Sequence, residues 1–130
     1  MDNKKHKRVI VETPFKGKNK AEEERNIAYA RACARDCLVT HNEAPFLSHL
    51  LYTQEGILQD NIDEERWHGS NAGLAWGEVA EATVVYIDLG TSVGMQYGIA
   101  NAVQATRPIF YRELPNFKEL FPEITNNSSE

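Results

Sequence analysis

The stretch that most constrains this chain is ATVVYIDLGTSVGMQYGIANA, residues 82–102. The run ATVVYI carries no charge and is rich in β-branched and aromatic side chains, which reads as a strand buried on both faces of a parallel sheet. It ends at Asp88, passes through a loop of Gly90, Thr91, Ser92 and Gly94, and opens into a helix expected from about Val93 to Ala105. Such a strand, loop and helix turn backbone amides towards one point and leave room for a phosphate or a ribose hydroxyl. The same pattern also fits a simple capped turn with Ser92 as N-cap. No acid lies between Leu89 and Arg112, so the loop is laid out like an anion site with a carboxylate only at its ends, Asp88 and Glu113.

The rest of the chain repeats the alternation of strand and helix. KRVIVET is a short β-branched strand stopped by Pro14, and AEEERNIAYARACARDCLVT is a helix with an acidic first turn that suits its dipole. Its inner stripe is expected at Ile27, Ala30, Ala34 and Leu38, with Tyr29, Cys33 and Cys37 beside it. APFLSHLLY reads as a second strand with an irregular end, TQEGILQDNIDEER as a long loop, and about Asp63 to Val79 as a helix carrying Trp67, Leu74 and Trp76. RPIFYRE supplies a last strand and NFKELF a short helix. The expected architecture is one α/β domain over residues 1–122, a doubly wound, flavodoxin-like parallel sheet of four to five strands with helices on both faces, followed by a disordered tail at 123–130. Ligands of such sheets bind at the carboxyl ends of the strands, where the winding reverses. The loops PFKGKNK and GTSVG both leave such ends.

Composition narrows the partners. A net charge of −5 with 42% hydrophobic and 25% charged residues describes a globular chain, and seven of its 14 basic residues fall in the first twenty positions. The acidic remainder argues against a nucleic-acid partner, while a local anion site near the N-terminus stays open. No apolar run approaches the roughly 20 residues of a membrane span. With no signal peptide in view, the expected location is the cytoplasm. Cys33 and Cys37 lie four apart on a helix, a poor geometry for a disulfide, and read as reduced apolar fillers. His41, His49 and His68 have no ligand spacing with them, so no metal is expected, and no cofactor is expected either.

The quoted segments, in their order and spacing from Val9 to Leu114, resemble the nucleoside 2-deoxyribosyltransferase superfamily, in particular small uncharacterised members from phage and bacterial genomes. The resemblance implies a pocket for a nucleoside or nucleotide and frequent dimers or higher oligomers. It assigns ligand contacts to Pro14, Phe15, Lys16, Ser48, His49, Asp88, Gly90, Thr91, Ser92, Gly94, Met95 and Gln96. Catalytic members of that superfamily attack the anomeric carbon with a glutamate on the helix after the glycine loop. That position falls on Gln96 or on Gly98 here, and neither is an acid. Three other acids could restore turnover: Asp88, Glu78 and Glu12, the last where the superfamily usually has a small residue.

Three readings follow. The first is a non-catalytic nucleotide-binding protein, by analogy a phage-type sponge in the host cytoplasm holding a cyclic ADP-ribose species or a cyclic dinucleotide. The second is an N-glycoside hydrolase or deoxyribosyltransferase with a displaced acid, Asp88 or Glu12. The third is a structural domain that keeps the fold without the ligand.

Overall fold

A computed structural model describes residues 5–127, with side chains as far as 124. Four strands form one all-parallel sheet: β1 (Lys7–Glu12), β2 (Glu43–Phe46), β3 (Ala82–Tyr86) and β4 (Ile109–Arg112), in the order β2-β1-β3-β4. The chain moves outward from β1 to β2, then crosses back over β1 to β3 and on to β4. The winding therefore reverses between β1 and β3, which defines a topological switch point at their carboxyl ends. This is a flavodoxin-like α/β arrangement.

All five residues of β3 are buried, as a charge-free central strand demands. Side chains alternate between two faces. Val9, Val11, Ala82, Val84 and Tyr86 pack with Tyr29, Ala30, Cys33 and Cys37 of helix α1 (Lys20–Thr40), joined by Leu114 and Phe121. The helices α5 (Phe117–Leu120) and α6 (Pro122–Asn127) close this face, with Tyr29 edge-on to the Phe117 and Phe121 rings. The opposite face carries α3 (Asp63–Gly77) and α4 (Val93–Gln104). There Trp76 lies against Phe46, and Gly98 against Glu12.

The α1 face holds a buried polar network. Arg112 Nη1 donates to Glu43 Oε1 at 2.8 Å and Tyr86 Oη to Asp36 Oδ2 at 2.7 Å, so both edge strands are tied beneath one helix. Burial alone would raise the Glu43 carboxyl, but the Arg112 hydrogen bonds hold it below its ordinary range. Cys33 and Cys37 are free and buried.

Several expectations need correction. The second strand stops at Phe46, and Ser48 begins a one-turn helix, α2 (Ser48–Leu51), because SHLL lacks the β-branched residues that extend a strand. The face of α1 is rotated from its expected stripe: Asn26, Tyr29, Cys33 and Asp36 are buried while Leu38 is 47% exposed. Asn26 and Asp36 tolerate burial because each finds a hydrogen-bond partner. The expected tail begins inside α6, which runs to Asn127; residues 128–130 lie outside the described part. No described helix is long and apolar enough to cross a membrane.

Candidate functional site

At the end of β1, Glu12 is followed by a tightly held loop. Thr13 and Pro14 are buried, and Asn26 Nδ2 of α1 donates to Phe15 O at 3.0 Å and to Lys16 O at 3.3 Å. A side chain at Gly17 would meet Glu22 Cβ at 2.6 Å, so only glycine lets the loop pass this close to α1. Asn19 caps α1, and the Lys18 amide donates to Glu22 Oε1 at 2.8 Å. The strand end and the helix start are thus locked to each other.

His49 on α2 reaches this loop. Its Nε2 lies 2.9 Å from Thr13 Oγ1, and its ring packs on Phe15 at 5.4 Å. Burial pushes the imidazole down to about 4 against the opposing charge of Asp60, so at neutral pH His49 is uncharged. Lys16 Nζ sits 4.0 Å from Asp60 Oδ2 and links the β1 loop to the segment between α2 and α3. A small cavity of about 90 Å³ lies there, lined by Ser48, His49, Thr53, Asp60 and Arg66 among others.

At the end of β3, Asp88 Oδ2 accepts from Tyr29 Oη at 2.7 Å and from the Leu114 amide at 2.9 Å, while its own amide donates to Tyr29 Oη at 3.0 Å. Asp88 therefore anchors the loop to α1 and to the chain after β4, and one of its two oxygens is already committed. Gly90 adopts φ +79°, a left-handed conformation that its missing side chain permits, and its amide closes a turn onto Ile87 O at 2.9 Å. Ser92 caps α4: its Oγ accepts from the Met95 amide at 3.2 Å, and Met95 Sδ accepts from the Ser92 amide at 3.3 Å. Thr91, Gly94 and Gln96 are exposed around this terminus.

Met95 is a correction. Its side chain is 1% exposed, in the core beneath the helix start, so it shapes the loop from below and does not face a ligand. Trp67 and Trp76, at a spacing that fits a core helix, are instead 60% and 53% exposed. Glu78 caps the far end of α3 and lines a cavity of about 400 Å³ with Leu74, Gly77, Glu81 and Arg107. That larger cavity sits at the amino ends of the strands, away from the switch point. The Arg107 guanidinium on its wall is spent on Thr83 Oγ1, Gly77 O and Asn101 Oδ1 at 2.9 Å each. Glu78 is thereby removed from the displaced acids.

Glu12 is the group that the structure adds most to. It leaves β1 on the α4 side, and no hydrogen bond to its carboxyl is present among the described residues. Burial pushes that carboxyl up to about 7, with the Arg107 charge pulling the other way. A Cβ placed on Gly98 would sit 2.0 Å from Glu12 Oε2 and 2.3 Å from Cδ. The carboxyl from β1 thus occupies the space that a side chain at position 98 would fill.

Thr13, Tyr29, Asp60 and Leu114 also belong to this region and are not apparent in the sequence; only the neighbours of Thr13, in the Pro14 loop, hint at it. Four segments lie at this end of the sheet: the β1 loop and α2, which touch through Thr13, Phe15 and His49, and the Gly90 loop and N-terminus of α4, which follow the neighbouring strand β3. The fold defines an all-parallel α/β protein with a topological switch point between β1 and β3. The chain belongs to a family described as a domain of unknown function, DUF7768, whose model matches residues 7–112. No curated protein and no solved structure matches the chain.

Proposed function

We propose that the β1 loop, the Gly90 loop and the N-terminus of α4 form a crevice at the carboxyl ends of β1 and β3 that holds a nucleoside or nucleotide. The observation that carries this reading is the capped N-terminus of α4 behind the Gly90 turn, at the point where the sheet reverses its winding. Exposed Thr91 and the free amides of the first turn suit a phosphate, and the Phe15 and His49 rings suit a base. With no acid on α4, capture without turnover is the leading reading, and sequestration of a nucleotide signal is the role that fits it.

Melting curves of the protein against nucleosides, 5′-nucleotides and cyclic nucleotides test this directly. A ligand present at 100 times its Kd adds about 2.7 kcal/mol of stability. At least one compound is expected to raise Tm, and Gly98→Ala, which forces the Glu12 carboxyl aside, is expected to abolish the rise. Indifference of Tm to the whole panel would overturn the reading.

Glu12 favours a second reading, cleavage of an N-glycosidic bond. A half-buried carboxyl raised towards neutrality is suited to giving or taking a proton. Release of free base from a bound nucleotide, lost in Glu12→Gln, would establish this reading against capture.

A further inference from the structure

Resting on the nucleotide reading above, we propose that Glu12 reads the sugar of the ligand: its carboxyl binds the neighbouring 2′- and 3′-hydroxyls of a ribose and so selects ribonucleotides over 2′-deoxyribonucleotides. Three other acids that pack against this sheet each have a donor. Asp36 accepts from Tyr86, Glu43 from Arg112, and Asp88 from Tyr29 and the Leu114 amide. Glu12 has no hydrogen bond among the described residues. Arg107, whose charge acts on it, spends its guanidinium on Thr83 Oγ1, Gly77 O and Asn101 Oδ1. No fully buried side-chain oxygen or nitrogen among the described residues lacks a partner, so the unpartnered Glu12 oxygens open to solvent. A half-buried acid left open in this way is poised to accept from a group that arrives from outside.

Where the carboxyl sits decides what it meets. Successive side chains at the end of β1 turn opposite ways, so Thr13 meets His49 and Glu12 meets α4. There it lies against Gly98, whose missing side chain leaves the room that both carboxyl oxygens fill. Gly98 is six residues past the Ser92 cap, about 9 Å along the helix. Glu12 thus stands between the two ends of the proposed site. On one side are the free amides at the start of α4, which suit a phosphate, and on the other the Phe15 and His49 rings, which suit a base.

Chemistry then singles out the sugar. A carboxyl does not serve the phosphate, which shares its charge. His49 lies on the Thr13 side and Glu12 faces the other way, which leaves the carboxyl to the sugar rather than to the base. In a 5′-nucleotide the sugar is what joins phosphate to base. Two carboxyl oxygens match two neighbouring hydroxyls, and a 2′-deoxy sugar offers only one of them. A site built to hydrogen-bond a hydroxyl discriminates against the analogue that lacks it.

Isothermal titration calorimetry with paired ribo- and 2′-deoxyribonucleoside 5′-monophosphates of adenine, guanine and cytosine tests the proposal. The ribonucleotide is expected to bind at least about 10-fold more tightly than its 2′-deoxy counterpart. In Glu12→Leu and in Glu12→Ala the two sugars are expected to bind alike. Equal affinities in the wild type would overturn the role given to Glu12 and leave the nucleotide reading standing. So would a ribose preference that survives both variants. Binding of neither sugar by the wild type would overturn this role together with the nucleotide reading it rests on.

Discussion

The two faces of this sheet are built to different standards. On one, α1 buries six residues, satisfies Asn26 and Asp36 with hydrogen bonds, and covers an ion pair between the two edge strands. On the other, α3 buries one residue and α4 two, and Trp67, Leu74, Val93 and Tyr97 remain open. The first face holds the fold together. The second carries what the fold does not need for its own stability: Glu12 against Gly98, the Gly90 loop and an uncharged helix. Exposed apolar side chains and an acid without a hydrogen bond cost stability in a lone chain, and the large aromatic ones, Trp67, Trp76 and Tyr97, lie on the second face.

Substitutions on the two faces should differ accordingly. The largest effect is expected for Arg112→Ala, which leaves Glu43 buried without its partner and should cost about 3–5 kcal/mol in urea unfolding. Tyr29→Phe removes the hydroxyl that serves both Asp88 Oδ2 and the Asp88 amide, for about 1–3 kcal/mol, and should loosen the Gly90 loop. Ser92→Ala loses the cap of α4, for about 1 kcal/mol, with a larger effect on ligand affinity if the free amides of that turn hold the ligand. Tyr97→Lys, at a side chain 75% exposed, should change stability by less than about 0.5 kcal/mol. A comparable loss from Tyr97→Lys and Arg112→Ala would erase the distinction between the faces.

A pH series sharpens it further, because two groups of the crevice pull in opposite directions. The Glu12 carboxyl is raised to about 7, so the folded state keeps a proton that the unfolded state releases, and stability falls as pH rises from about 4.5 to 7. His49 is lowered to about 4, so the unfolded state takes up the proton first, and stability rises between about pH 4 and 6.5. Each slope is limited to about 1.4 kcal/mol per pH unit, and in the wild type they largely cancel between pH 5 and 6.5. Glu12→Gln should unmask the rising slope and His49→Gln the falling one. Denaturant midpoints measured at several pH values decide this; identical profiles for all three proteins would contradict the burial of both groups.

The sequence made one kind of information legible and hid another. β3 and α4 are readable because their signals are local: a charge-free apolar run, a glycine that takes positive φ and a serine cap. That the Pro14 and Gly90 loops both leave carboxyl ends of strands follows from the same signals together with the alternation of elements. The one-turn helix at Ser48 is hidden because four residues carry no period, and the rotation of α1 because Asn26 and Asp36 find buried partners far along the chain. Asp88 stands where it was expected, but its role as an anchor depends on Tyr29 and Leu114. The contact of Glu12 with Gly98 depends on how β1 sits against α4, and sequence spacing carries no trace of it.

The central claim is that the switch-point crevice is a nucleotide site, and the most direct measurement is bind-and-release mass spectrometry. The purified protein is incubated with a pool of nucleosides, nucleotides and cyclic nucleotides, washed, heat-denatured, and the supernatant analysed. An intact nucleoside or nucleotide released by the wild type, and not by Gly98→Ala, is the predicted result. A supernatant free of any nucleoside, nucleotide or fragment would contradict the claim.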